Sequence, residues 1–176
     1  MSATKEEMIE IHLKGRGIMD FKVINAMRLV DRTLFVPENL KEYAYEDQPL
    51  PIGKEQTISQ PYIVAYMAQE LRLGSEDKVL EIGTGCGYNA AVLSQIVSHV
   101  CSIEIDEELA ENAKENLQKA GIQNVTTRCG DGYLGWKEEA PFDVIILTAA
   151  PHKIPEPLKN QLKIGGKLLA PVGGNI

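Results

Sequence analysis

Val79-Leu80-Glu81-Ile82-Gly83-Thr84-Gly85-Cys86-Gly87-Tyr88-Asn89 is the stretch that decides the fold. An apolar run, Val79 to Ile82, ends in glycines at alternate positions, and a helical stretch over Ala90 to Val97 follows. This is the pattern of a buried strand entering a glycine-rich turn and then a helix. Glycine lets the backbone turn sharply and approach a ligand closely, at the carboxyl end of a strand where parallel sheets bind their ligands. Glu104 ends the next apolar run, twenty-one residues after Gly83, and an acid at that distance can accept hydrogen bonds from ribose hydroxyls.

The glycine spacing refines the ligand. Gly83-x-Gly85-x-Gly87 is not the G-x-G-x-x-G that seats a pyrophosphate on a helix N-terminus. It counts against a nicotinamide dinucleotide and favours S-adenosylmethionine, which carries no phosphate. Asp131-Gly132, after the third apolar run, offers an acid to an adenine amino group or simply makes a turn; both readings stand. Glu81 either orders the loop or meets the ligand.

Outward from the loop, apolar runs at Val100 to Ile105, Val125 to Cys129, Val144 to Leu147 and Leu168 to Val172 alternate with helical stretches. The clearest helix is Glu107 to Ala120, where Leu109, Ala113, Leu117 and Ala120 share one face. Strand and helix in alternation imply right-handed crossovers and an α/β, doubly wound, mostly parallel sheet in the order 3-2-1-4-5. Upstream, residues 1–75 read as a cap of helices and loops on the cofactor-binding sheet of 76–176, the two making one domain. Asp20 caps a helix over Phe21 to Val30, Val36-Pro37 and Gln48 to Gly53 form proline-stiffened extended segments, and a helix from Ser59-Gln60-Pro61 runs to a stop at Gly74.

Composition bounds the function. The 176 residues, 44% hydrophobic and 24% charged, suit one globular domain. Eighteen basic against twenty-five acidic side chains leave a net charge of −7, which offers nucleic acid no general attraction. No apolar stretch approaches membrane-spanning length and the N-terminus lacks a signal-peptide pattern. Cys86, Cys101 and Cys129 stand apart, as suits a reducing cytoplasm, and His12, His99 and His152 are too scattered to suggest a metal site.

Thr57-Ile58-Ser59-Gln60-Pro61-Tyr62-Ile63-Val64-Ala65-Tyr66-Met67, followed by Leu80 to Asn89, resembles the protein-L-isoaspartate O-methyltransferases. Cys129 to Gly132, Asp143 to Ala150, Ile154-Pro155 and Gln161 to Leu168 continue the likeness in order, over nearly the whole chain. The Thr57 to Pro61 segment is its specific part, since the glycine loop is shared by most Rossmann-like methyltransferases. The resemblance implies methyl transfer from S-adenosylmethionine, leaving S-adenosylhomocysteine, to the free carboxyl of L-isoaspartyl residues in damaged proteins and peptides. It makes Ser59 the active-site hydroxyl, with Thr57 and Ile58 lining the site on the cofactor side. Gly83, Thr84 and Gly85 would face the methionine part of the cofactor, Glu104 and Ile105 its ribose and adenine, and Asp131 with Gly132 the adenine edge. Ser59 also has a plainer reading as a helix N-cap.

An isoaspartyl carboxyl of pKa about 4 is already ionised at neutral pH, so no general base is needed. Amino-group methylases of this architecture place a polar residue and two prolines after the fourth strand. Here that place reads Thr148-Ala149-Ala150-Pro151, and Gln60-Pro61-Tyr62 is a chance likeness. Family members usually carry further C-terminal strands, so the sequence leads us to expect Leu168 to Val172 as an uncovered edge, with either self-association through it or low activity in their absence. The alternatives are a cofactor-binding module with weak or no catalysis, or a methyltransferase for a small molecule or RNA.

Overall fold

The structure, a computed structural model, describes residues 2–149, 151 and 153–171. Its first elements are short and amphipathic. Helix α1 (Lys5–Glu7), closed by a reciprocal Thr4–Glu7 capping box, widens into a π-type segment over Met8–Leu13 that buries Met8, Ile9 and Leu13. Helix α2 (Phe21–Leu29) starts where the sequence predicts, with the Asp20 carboxylate accepting the Lys22 N–H at 2.8 Å. Its Val23, Ile24 and Met27 are buried. A 3-10 turn over Arg32–Phe35 follows and sends Arg32 and Phe35 inward.

The proline-stiffened segment holds more order than its sequence suggests. Strands β1 (Leu50–Gly53) and β2 (Gln56–Ile58) pair antiparallel. Lys54 and Glu55 turn the hairpin with φ of 52° and 56°, a left-handed conformation that costs a residue with a side chain about 1–2 kcal/mol. Helix α3 (Pro61–Leu71) has its proline in the first turn, where no N–H is lost. It stops at Arg72, itself left-handed with φ 48°, rather than at Gly74. The Gly74 N–H instead donates to the Asp77 carboxylate at 2.8 Å.

The remaining strands are β3 (Lys78–Ile82), β4 (His99–Glu104), β5 (Val125–Cys129), β6 (Phe142–Leu147) and β7 (Leu162–Leu169). They form one parallel sheet in the order β5-β4-β3-β6-β7, the topology the sequence predicts. Helices α4 (Tyr88–Ser94), α5 (Glu107–Lys119) and α6 (Glu156–Asn160) make three of the crossovers, while the one from β5 to β6, where the sequence also predicts a helix, holds only the 3-10 turn Gly132–Leu134. Helix α4 begins two residues earlier than its apolar pattern suggests, directly on Gly87, and is over by Gln95. Asp106 caps α5 by accepting the Leu109 N–H, with Glu107 and Glu108 favourably placed in the first turn.

Residue alternation along the strands divides the core between the two faces of the sheet. Val79, Val100, Val144 and Ile146 join Met8, Leu13, Met27, Phe35 and the α3 and α4 side chains on one face. Leu80, Ile103, Phe142 and Ile145 pack on the other with Leu158 and Trp136. Strand β7 departs from expectation: it starts at Leu162 and ends at Leu169, and Val172 lies outside the described residues, as do Gly173 to Ile176. Its pairing with β6 jumps from Phe142↔Leu162 to Val144↔Lys167, so 163–166 bulge outward around Gly165 with its φ of 80°. Beyond the bulge, Lys167 Nζ donates to the last-turn carbonyl of Leu71 at 2.7 Å and ties this edge to α3.

Candidate active site

The carboxyl ends of β3, β4 and β6, the turn after β5 and the β1–β2 hairpin surround a cavity of about 790 Å³. The glycine loop forms its floor. Gly83 N–H and Thr84 N–H reach back to the Ile103 carbonyl at 2.8 and 3.3 Å, which bends the chain away from the sheet. Gly83 has φ 96°, and a Cβ there would stand 2.3 Å from Thr148 Oγ1, so only glycine fits. Thr148 uses that closeness: its hydroxyl donates to the carbonyls of Ile82 and Gly83 at 3.0 and 2.8 Å, fastening the loop to the end of β6.

Glu104 braces the loop from β4. One carboxylate oxygen accepts the Gly85 N–H at 2.8 Å, and the other accepts the N–H groups of Ile105 and Asp106 at 2.9 and 3.1 Å. The residue is 7% exposed and still forms cavity wall. A carboxylate has about four acceptor positions, so capacity remains for an incoming hydroxyl. Ile105 beyond it is 75% exposed and flanks the same opening.

Behind the floor lies Glu81, fully buried and away from the cavity wall. Asn89 Nδ2 donates to it at 2.7 Å, and Ser102 donates to its other oxygen while sharing a 2.6 Å hydrogen bond with Thr84. Burial pushes the Glu81 carboxyl up to about 7, with the Glu104 charge adding to the rise and the bonds from Ser102 and Asn89 opposing it.

Asp131 and Gly132 form the far wall. The Asp131 side chain accepts the Tyr133 N–H at 2.9 Å and caps the short turn Gly132–Leu134, so the turn reading of the sequence holds whatever else the carboxylate meets. A Cβ on Gly132 would lie 2.4 Å from Ile82 Cγ2, which explains the glycine.

Opposite the glycine loop, Thr57, Ile58 and Ser59 line the cavity from the end of the hairpin. Gln60, not Ser59, occupies the N-cap position of α3, and no side chain caps that helix. Ser59 is half-buried and its carbonyl accepts from the guanidinium of Arg32 at 2.8 Å. Every residue singled out in the sequence except Glu81 thus borders one cavity. The structure adds Lys54, Tyr88, Asn89, Asp106, Tyr133 and Thr148 to the wall. Thr148 falls in the stretch after the fourth strand that the sequence already flags; Ala150 lies outside the described residues. The spacing of Lys54 and Tyr133 carries no signal, because a hairpin and a turn bring them in. Among the described residues no group of three or more His, Cys, Asp or Glu is placed to hold a metal.

Comparison with known proteins bears on the whole arrangement. The family model for protein-L-isoaspartate(D-aspartate) O-methyltransferase matches residues 3–176. Protein-L-isoaspartate O-methyltransferase 1 of Syntrophobacter fumaroxidans is 54% identical over 98% of this chain and 80% of its own length. Protein-L-isoaspartate O-methyltransferase 2 of Pelobacter propionicus is 55% identical over 97% of this chain and 76% of its own. A solved protein-L-isoaspartate O-methyltransferase superposes with a TM-score of 0.86 at 37% identity, covering 96% of this chain and 55% of that one. A Plasmodium falciparum chain described as a protein-L-isoaspartate O-methyltransferase, solved with S-adenosyl-L-homocysteine, gives 0.85 at 26% identity, over 99% of this chain and 86% of its own. The likeness covers the hairpin and the sheet alike, and the chain belongs to the protein-L-isoaspartate(D-aspartate) O-methyltransferase family.

Proposed function

We propose that this chain transfers the methyl group of S-adenosylmethionine to the free carboxyl of L-isoaspartyl residues in damaged proteins, the first step of their repair to aspartate. The observation that carries the reading is the meeting of Ser59 and the glycine loop across one cavity. A cofactor held on the loop and a carboxylate held at Ser59 would share that space.

The lining fits S-adenosylmethionine. Glu104, Asp106 and Asp131 are acids and Lys54 is the one cation on the wall among the described residues, a balance that suits a sulfonium and opposes a pyrophosphate. Gly83, Thr84 and Gly85 would hold the methionine part, Glu104 and Ile105 the ribose and adenine, and Asp131 with Gly132 the adenine edge, with Thr57 and Ile58 closing the cofactor side. Glu81 would support the loop from behind. When bound, the sulfonium supplies an electrophilic methyl whose departure leaves a neutral thioether. The chain's own part is to orient and to exclude water. Ser59 would fix the acceptor by donating one hydrogen bond to the oxygen that does not attack, while Val64 and Leu147 give the cavity apolar walls. The carboxylate is ionised already, so the proteins and peptides that are its partners need no base here.

Matched peptides differing only in Asp or isoAsp test the reading: methyl transfer to the isoaspartyl peptide alone is expected, and transfer to neither, with S-adenosylhomocysteine still bound, overturns it. Ser59→Ala should lower turnover at least tenfold with cofactor affinity within threefold and the melting temperature unmoved, since Ser59 caps nothing. Free thiols at Cys86, Cys101 and Cys129 fit a cytoplasmic location; no helix among the described residues is long and apolar enough to cross a membrane. Pairing through the β7 edge belongs to the same reading. It rests on Ile164, fully exposed on the bulge, and a monomer at all concentrations in sedimentation velocity would remove it.

A further inference from the structure

Arg32 is the largest fully buried side chain of the chain's described residues, with none of its surface exposed. Buried arginines are ordinarily paired with a carboxylate, because a desolvated charge left alone costs several kcal/mol. Arg32 forms no ion pair among the described residues. Nε donates to the Ala44 carbonyl at 2.7 Å and one terminal nitrogen donates to the Ser59 carbonyl at 2.8 Å, while the other, Nη1, finds no acceptor. The guanidinium lies on the Tyr88 ring, 4.7 Å from its centroid.

None of its ionisable neighbours forms an ion pair with it among the described residues. Burial pushes the Cys86 thiol up to about 11 and raises the Tyr88 phenol as well, so both are neutral at pH 7. The adjacent Asp31 carboxylate faces elsewhere, accepting from Thr33 and from the Tyr45 hydroxyl at 2.7 Å. The Arg32 guanidinium, without a carboxylate bonded to it among the described residues, therefore sits directly behind the part of the cavity wall made by Ser59, Cys86 and Tyr88. Solvent screens it little there.

We propose that Arg32 is a positioning residue for the acceptor: it pins the Ser59 backbone and supplies the positive potential that draws the isoaspartyl carboxylate to that wall. The inference rests on the isoaspartyl reading above. It has a consequence for the reaction. As the carboxylate oxygen forms its bond to the methyl carbon and the carbon–sulfur bond breaks toward sulfur, the acceptor becomes a neutral ester. The attraction of Arg32 is thus strong for the substrate and lost for the product, so it lowers KM and favours ester release without lowering the barrier.

Arg32→Gln keeps a donor and removes the charge; Arg32→Lys keeps the charge and removes the fork. KM for an isoaspartyl peptide should rise at least tenfold in Arg32→Gln, with kcat unchanged or higher and S-adenosylhomocysteine affinity within threefold of the parent. Arg32→Lys should restore KM to within threefold. Unchanged KM in Arg32→Gln overturns the proposal, as does a parallel loss of KM, cofactor affinity and melting temperature in both variants, which marks a scaffold residue. If Arg32→Gln does not fold, Arg32→Lys decides alone, a KM within threefold supporting the charge and a tenfold rise overturning it. An inactive parent chain would instead defeat the isoaspartyl reading, and this inference with it.

Discussion

Glu104 places two tasks on one carboxylate. Its oxygens hold three backbone N–H groups of the glycine loop and of the turn after β4, and its remaining acceptor capacity faces the cavity. Charge-assisted hydrogen bonds of this kind contribute about 1.5–3 kcal/mol each, and an N–H left without its acceptor costs about 1–3 kcal/mol where it is buried. Glu104→Ala is therefore expected to weaken S-adenosylhomocysteine binding more than tenfold by calorimetry and also to lower the melting temperature without ligand. Weakened binding with an unmoved melting temperature would show that the bracing is replaced by water. The sequence could place Glu104 at a strand end beside the glycine loop, because strand length and glycine spacing are local. The bracing role was not legible: it depends on a carboxylate folding back on its own turn, which spacing does not record.

Elements meet at Glu81. Lying on β3, it accepts from Asn89 of α4 and from Ser102 of β4, and Ser102 carries the network on to Thr84 in the loop. With the carboxyl raised from 4.5 to about 7 by burial, the folded chain holds a proton that the unfolded chain releases between those values. The sign follows from linkage: the Glu81 contribution is fully present below pH 4.5 and is lost as pH rises through about 7, a loss of about 3 kcal/mol. Glu81→Gln keeps the shape without the ionisation and should flatten this part of the stability profile. It should therefore gain on the parent in urea unfolding at pH 8 relative to pH 5, and an equal difference at both would mean the carboxylate is not desolvated. Element types were legible wherever periodicity is strong, as in α2, α5 and β3 to β6. The β1–β2 hairpin was not, because Lys54 and Glu55 occupy left-handed positions that usually call for glycine or asparagine. Nor was the β7 bulge, since the apolar run at Leu168 masks pairing that begins at Leu162.

At the scale of the whole molecule, the N-terminal cap and the sheet share their packing. Phe35 meets Tyr88 edge to face with ring centroids 5.6 Å apart, and both belong to the cluster that runs from Met8 and Leu13 through Val79 to Ile146. The apolar side chains of the cap, which pack on one another as well as on the sheet, fall in one continuous cluster with it, so the cap has no separate core. Arg32 reinforces the joint, since its bonds reach Ala44 and Ser59 while its plane covers Tyr88. The sequence distinguished the two halves by the period of their apolar residues but could not show this dependence, which comes from contacts between residues far apart in the chain. Trp136, the only tryptophan, packs on the opposite face of the sheet with Phe142 and Leu158 and so reports on the part farthest from the cap. We therefore expect residues 1–75 and 76–176 to unfold together, with far-ultraviolet circular dichroism and Trp136 fluorescence giving superimposable urea transitions. Phe35→Ala should shift both midpoints down by the same amount, for a loss of about 3–5 kcal/mol typical of an aromatic removed from a core. Separation of the two curves, with helical signal lost while Trp136 keeps its native emission, would make the cap an independent unit and not part of one cooperative domain.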